Sequence, residues 1–361
     1  MSQSMRILLL APYPQRTAPG QRFRFEQYLK PLALRGIHVD VHSLLDPDTA
    51  RILYRTGHAG RKAAFLVRGA VARLRDLAAA DRYDLVFIFR EAYPLGFPII
   101  ERALAGRRIP YLIDFDDAIW LTNASHANRF IAPLKFSKKT ATIVRHAALV
   151  TVGNEYLATW ARRIHSQVRV IPTTIDTNLY RPRNSRGDGP LCIGWSGSRT
   201  TAKHLELVGP VMAEAQRRHG VRLRVIGVED FELPRAEVEN LPWREETELE
   251  DLSEIDIGIM PLPDDEWARG KCGLKALQYM ALGIPTVMSP VGVNREIAEG
   301  GAARLASEPY AWRVALDELI GDTAAREKMG RTGRKRVEKC YSVTANIDAY
   351  YDALRTAANH A

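Results

Sequence analysis

Short apolar runs alternate with longer amphipathic segments almost throughout the chain. The runs predict strands at Arg6–Ala11, Ile37–Ser43, Leu85–Phe89, Tyr111–Asp114, Leu149–Val152 and Val168–Ile171. Amphipathic segments with a helical period separate most of them, and such alternation implies parallel sheets covered by helices on both faces. The stretch Pro172–Pro190 has no period and is rich in Pro, Gly, Asp and Asn, which reads as a linker or hinge. The alternation then restarts, with strands expected at Leu191–Trp195, Leu223–Gly227, Ile255–Met260 and Pro285–Ser289, and helices near Ala202–Arg218 and Gly273–Leu282. Past Ala311 the pattern is helical to the end. The expected fold is α/β, with two Rossmann-like doubly wound domains facing a cleft at the C-terminal ends of their strands.

Composition agrees with two domains. At 361 residues, 46% hydrophobic and 26% charged, the chain can bury two cores of ordinary size. The apolar run Ile7–Ala11 is too short for the core of a signal peptide. No run approaches the roughly 18 apolar residues of a membrane span, so a cytoplasmic protein is expected. Cys192, Cys272 and Cys340 lack pairing or metal spacing and read as free thiols. Charge is uneven: residues 1–183 hold 28 basic and 14 acidic side chains, a net +14, whereas residues 184–361 hold 23 and 28, a net −5. A basic first half seeks an anionic partner. No nucleic-acid module accompanies it, which argues against nucleic acid. Arg51, Arg55, Arg61, Lys62, Arg68, Arg73 and Arg75 lie in one basic amphipathic stretch, suited either to an anionic membrane surface or to an ordinary solvated face.

The densest chemistry lies in Asp256–Ile297, which reads strand, loop, helix, strand, loop. The loop Ala268–Gly273 puts two glycines, Arg269 and Lys271 directly before a helix, where backbone N–H groups and the positive end of the helix dipole favour a diphosphate. Lys275 and Gln278 share a face of that helix. Gly283-Ile284-Pro285 ends it, and a second glycine turn, Pro290–Asn294, leads to Glu296. Without a ligand the same pattern describes a plain helix–turn–strand unit with a solvated basic loop.

This segment resembles the donor-binding signature of the retaining GT-B glycosyltransferases, the group that contains sucrose, glycogen and phosphatidylinositol mannosyl transferases. The signature has a Glu, seven residues, then Glu-Ala-Met-Ala-x-Gly-x-Pro. Here Gln278-Tyr279-Met280-Ala281-Leu282-Gly283-Ile284-Pro285 matches the second part, with Gln278 at the ribose-binding Glu and Gly270 at the sugar-contacting Glu. Gln can still hydrogen-bond ribose hydroxyls, and a Glu restored at 278 is expected to be tolerated. Glu296 matches the acidic residue after the family's glycine turn. Ile193–Lys203 resembles the family's strand–glycine–Arg turn with a following Lys: Gly197 sits in the turn, Lys203 matches the Lys, and Arg199 lies one place beyond the Arg position.

Similarity extends into the first half. Gly20 and Arg22 lie in the turn after the first strand, where the family has a glycine turn beside the acceptor. Arg24 is two residues on and, in a helix, points elsewhere. Asp114, Asp116 and Asp117 crowd the end of a strand. Three carboxylates there require a cation, a hydroxyl or solvent, and they can act as a base, hold acceptor hydroxyls, ligate a divalent metal or simply cap a helix. Thr151–Leu157 and Ile171–Asp176 are similar to the family's last first-domain strand and its hinge. The C-terminal helices fit the family's ending, where the last helix returns to the first domain.

The resemblance implies an acceptor-binding domain over 1–180, a nucleotide-sugar-binding domain over 181–340 and a returning helix over 341–361. It implies retaining, metal-independent transfer from a nucleotide-diphosphate sugar, with no further cofactor, in the synthesis of cell-surface glycan or glycolipid. The diphosphate would be held by Gly197, Arg199, Lys203, Lys271 and Gly273, and the nucleoside and sugar by Lys275, Gln278 and Glu296. Asp114, Asp116 and Asp117 are the catalytic candidates, and Gly20 and Arg22 the acceptor-side candidates. A lipid-linked or membrane-proximal acceptor, reached from the inner membrane face, would use the basic half. A nucleotide-sugar epimerase of the same fold and a non-catalytic nucleotide-sugar-binding subunit are the alternatives.

Overall fold

Parallel strands covered on both faces need continuous apolar runs, and the longest runs of the chain are its central strands. The computed structural model describes residues 4–52, 59–121, 138–183 and 189–360. The chain divides into two units, residues 1–172 with 346–361, and residues 173–345.

The first unit holds β1 (Met5–Ala11), β2 (Ile37–Ser43), β3 (Leu85–Phe89), β4 (Tyr111–Phe115), β5 (Leu149–Val152) and β6 (Val168–Val170). They form one parallel sheet in the order β2-β1-β3-β4-β5-β6. The order steps outward in both directions from β1 and β3, the topological switch at which doubly wound sheets bind ligands beyond the strand C-termini. The long helix Ala59–Ala79 is tied to this sheet by Arg73, which is buried and donates to the carbonyls of Ala11, His42 and Ala92. The last helix, Val343–Ala358, returns to this unit: Tyr350 stacks on Tyr28 with ring centroids 4.3 Å apart, and Arg169 donates to Thr356.

The second unit holds β7 (Cys192–Ser196), β8 (Arg222–Ile226), β9 (Glu239–Leu241), β10 (Ile257–Met260), β11 (Thr286–Met288) and β12 (Arg304–Leu305). Its parallel sheet runs β12-β11-β10-β7-β8-β9. The outermost strands β9 and β12 were not expected from the sequence, since a short edge strand needs no apolar run. The expected helix Ala202–Arg218 is divided: a turn of helix at Arg199–Ala202 is followed by a separate helix, Gly209–His219, that starts with Pro210 in its first turn. Among the described residues no helix is long and apolar enough to cross a membrane.

Candidate functional site

In the second unit the two glycine segments singled out in the sequence meet. Gly197 follows β7 and donates its N–H to the Ile226 carbonyl at the end of β8. A side chain there would start 2.5 Å from the Trp195 ring and 2.7 Å from Lys275 Cε, so only glycine admits these neighbours. The helix Leu274–Ala281 begins at Gly273, whose φ of 71° is left-handed and strained for other residues. The turn at Gly292 lies against the Arg269 carbonyl, 2.6 Å from where a Cβ would stand. Asn294 and Ser289 join these loops. Asn294 Nδ2 donates to the Ser289 carbonyl at 2.9 Å, and Ser289 Oγ accepts the Leu262 N–H at 2.9 Å.

Cations gather on this surface. Lys275 Nζ stands 5.3 Å from the Trp195 ring centroid and Lys271 Nζ 5.6 Å from that of Trp267. Burial and then the charges of Lys271, Lys275 and Lys203 push His204 down to about 4, so its ring is neutral near pH 7. One imidazole thus senses three lysines supplied by two separate segments. Glycine turns, a helix start and three lysines together form a basic surface with the chemistry of a diphosphate site.

Sequence expectations for Arg199 and Gln278 change here. Arg199 does not join the lysines: it pairs with Asp230 at 2.6 Å, and both side chains are largely exposed. Gln278 is buried, and its Nε2 donates to Tyr180 Oη at 3.0 Å and to Glu248 Oε1 at 3.3 Å. Glu248 also accepts from Trp243 Nε1 at 3.0 Å and from Tyr180 Oη at 3.1 Å. Gln278 therefore belongs to a buried polar network rather than to an open ribose contact. Glu296 is exposed and accepts from Tyr341 Oη at 2.8 Å. Sequence reasoning missed Glu248, Tyr180, Trp243 and His204.

Another correction lies in the first unit. Asp114 has no exposed surface. Its carboxylate accepts from Arg24 Nε at 3.0 Å and from Thr151 Oγ1 at 2.7 Å, and Arg24, also buried, donates to the Ile171 carbonyl. A carboxylate sealed in this way holds strands together and has no access to a substrate, so Asp114 is structural. Asp116 and Asp117 remain half-buried at the C-terminal end of β4. Arg90, which the sequence did not suggest, bridges them at 2.7 and 2.8 Å. A Cβ on Gly20 would lie 2.9 Å from Asp116 Oδ2, which puts the first glycine turn directly against this acidic pair. Arg22 is half-buried, with its guanidinium over the Phe23 ring. The three carboxylates are thus compensated by two arginines.

The basic stretch is also sorted by the fold. Arg55 lies outside the described residues, as do the side chains of Arg51 and Lys62. Arg73 turns into the core and pairs with Asp76, so it leaves the expected basic face. Arg61, Arg68 and Arg75 are exposed, and between them Val67 (66%), Val71 (43%) and Leu74 (54%) also face outward.

Comparison with known proteins adds a family match over part of the chain. Residues 191–322 match the family model described as glycosyl transferases group 1. No curated protein matches the chain in sequence. Among solved structures, sucrose-phosphate synthase from Thermosynechococcus elongatus superposes with a TM-score of 0.68 at 18% identity, over 97% of this chain and 98% of that one. A glycosyltransferase from Rickettsia africae gives 0.69 at 12% identity, over 99% of each chain. Anabaena HepE in complex with UDP-glucose gives 0.65 at 15% identity, over 96% of this chain and 98% of that one. At these identities the likeness establishes the GT-B fold; chemistry has to be argued from the site.

Proposed function

We propose that this chain is a glycosyltransferase of the group 1 type, a reading supported by the match over residues 191–322 and by the GT-B fold, and that it transfers a sugar from a nucleotide-diphosphate donor with retention of anomeric configuration. The observation that carries this reading is that Lys275 packs against the Gly197 turn, Lys271 stands in the loop just before Gly273, and both act together with Lys203 on His204. When the bond from the anomeric carbon to the diphosphate breaks, negative charge grows on the departing phosphate oxygen. Fixed ammonium groups and backbone N–H groups aimed at that oxygen lower the barrier, because they need no reorganisation as the charge appears. With three lysines neutralising the leaving group, the reaction needs no divalent cation. The donor is a UDP-sugar in the first instance, because HepE is described with UDP-glucose bound.

On the acceptor side, the half-buried Asp116 and Asp117, with Arg90, Gly20 and Arg22, offer paired acceptors and donors for hydroxyl groups. The exposed face of the helix Ala59–Ala79 mixes arginines with aliphatic side chains, which suits an anionic membrane and hence a lipid-linked or membrane-proximal acceptor in surface glycan synthesis. Titrating UDP-glucose, GDP-mannose and ADP-glucose against the free nucleosides by calorimetry tests the donor site. Following the sugar's anomeric signal by NMR in the presence of a membrane lipid extract tests transfer. Tight binding without turnover for any acceptor would turn the chain into a binding subunit. Donor turnover without acceptor would make it an epimerase. Binding of no nucleotide sugar would end the proposal.

A further inference from the structure

His204 is the one group of the lysine surface whose charge is not fixed. Its side chain comes from the turn Lys203–Leu207, just past the short helix Arg199–Ala202, and it is only 9% exposed. Among the described residues nothing hydrogen-bonds to its ring, and its ring nitrogens are not among the sealed unpaired atoms, so they keep their access to solvent while the rest of the side chain is buried. Three ammonium groups act on it: Lys203 from its own turn, Lys271 from the loop before Gly273, and Lys275 from the helix Leu274–Ala281. Among the described residues Asp265, the cap of the helix Glu266–Arg269, acts in the opposite sense. An imidazole whose nitrogens reach solvent unpaired, set among three like charges, is placed to meet a ligand that accepts hydrogen bonds and carries negative charge.

Accepting the donor site described above, we infer that His204 faces the diphosphate itself and takes up a proton from solvent when a nucleotide sugar binds. The physical reason is electrostatic. In the free chain burial and the lysines keep the ring neutral down to a pH of about 4. A diphosphate brings two negative charges into the same space, cancels the field of the lysines and favours imidazolium. The ring then becomes a fourth cation on the diphosphate and donates to a phosphate oxygen. When the bond to the sugar breaks, the nucleoside diphosphate gains one more negative charge, so the proton is held more firmly in the product complex. No proton has to move to the sugar or the acceptor for this to occur.

Linkage fixes the sign. Below a pH of about 4 the ring is protonated with or without ligand, and above the ligand-bound pKa it is neutral in both states. Between these limits the affinity for a nucleotide sugar rises as pH falls, by up to about tenfold per pH unit for one linked proton. The probe is UDP-glucose, with GDP-mannose as the second, because a diphosphate esterified at both ends has no proton of its own to gain near neutrality. Calorimetry at pH 6 in buffers of different ionisation heat reads proton uptake directly. Wild-type protein should take up a measurable fraction of one proton, and His204→Gln should bind more weakly and take up close to none. Ring-proton NMR of the wild-type protein, with the variant identifying the His204 signal, gives a second reading that needs only a folded variant for assignment. The signal should titrate at higher pH with UDP-glucose bound than without. Binding with equal proton uptake in the two proteins, or an unmoved His204 titration, would overturn this inference alone. Failure of both nucleotide sugars to bind folded wild-type protein would overturn the donor site and this inference together.

Discussion

Gln278 Nε2 donates to Glu248 Oε1 across 3.3 Å, inside a network that also includes Tyr180 and Trp243. The pair works because one member is an amide and the other a carboxylate. Replacing the amide with a second carboxylate, which the family signature alone suggests is harmless, removes a donor and adds a like charge in a buried place. Gln278→Glu should therefore lose about 3 kcal/mol or more of stability at neutral pH, in the range seen for uncompensated buried charges. The exchange Glu248→Gln with Gln278→Glu keeps one carboxylate and one amide, and should recover most of the loss. Urea unfolding of the three variants checks this. A single Gln278→Glu variant as stable as the wild type would show that the side chain does not face Glu248.

The acidic cluster divides into a structural and a reactive part. Asp114→Asn leaves the buried Arg24 without its counter-ion, and such a loss typically destabilises by about 3–5 kcal/mol. Asp116→Asn and Asp117→Asn sit at a half-buried bridge and should leave the melting temperature nearly unchanged while lowering transfer activity. Thermal unfolding and turnover, measured on the same preparations, separate the two. An Asp114→Asn protein with wild-type stability and no activity would return Asp114 to the reacting group.

Why these partners were not legible is a matter of distance along the chain. Central strands such as Leu85–Phe89 and Ile257–Met260 announce themselves because burial on both faces demands unbroken apolar runs. Glycine turns before helices are equally local, and so Gly197 and Gly273 were readable. The edge strand Glu239–Leu241 has one covered margin and a polar composition, and left no such mark. Arg24 meets Asp114 across 90 residues, and Glu248 meets Gln278 across 30. Nothing in either neighbourhood encodes the other. The break at Gly209-Pro210 was in the sequence, but the amphipathic pattern on both sides concealed it.

Lys203 and Arg199 should behave differently although both follow the same glycine turn. Among the described residues Lys203 has no ion pair, and its charge acts on His204, whereas Arg199 is exposed and held by Asp230. Lys203→Ala should weaken nucleoside diphosphate binding by about 1.5–3 kcal/mol, the worth of a charge-assisted contact, and change nucleoside binding little. Arg199→Ala should cost less than about 1 kcal/mol for either ligand, as expected for a surface pair. Calorimetric titration of UDP against uridine decides it. The reverse order of effects would give the clamp to Arg199.

His204 also sets an acid limit on the fold itself. Its pKa in the folded chain, pushed by burial and the neighbouring lysines down to about 4 from the ordinary 6.5, means that the unfolded chain binds the proton first as pH falls. The stabilising contribution is therefore complete above about pH 6.5 and is lost progressively as pH drops toward 4. His204→Gln removes that linkage. Melting temperatures should fall less steeply between pH 6.5 and 4 in the variant than in the wild type. Parallel slopes would mean that the ring is protonated in the folded chain without difficulty.

The outward face of the helix Ala59–Ala79 gives a membrane test that the charge count alone could not. Of the cations in this stretch, Arg73 is buried and bonded to three carbonyls, so it holds the helix on the sheet and cannot touch a lipid. Arg61, Arg68 and Arg75 are exposed, and Val67, Val71 and Leu74 lie exposed among them. Headgroup attraction is worth about 1 kcal/mol per cation near an anionic surface, and the aliphatic side chains add the burial of their apolar area. Changing Arg61, Arg68 and Arg75 to Gln should thus weaken sedimentation with phosphatidylserine-containing vesicles by up to about 3 kcal/mol. High salt should weaken the wild type similarly, because the screening length shrinks from about 10 Å at 0.1 M to about 3 Å at 1 M. Val67→Asp with Leu74→Asp should also reduce binding, and more than charge alone explains if the aliphatic residues enter the interface. Arg73→Gln should instead lower the melting temperature, since it leaves carbonyls unpaired inside the unit. Neutral vesicles are the control, and equal binding of wild type and triple variant to anionic vesicles would remove this face from the membrane and point to a soluble acceptor.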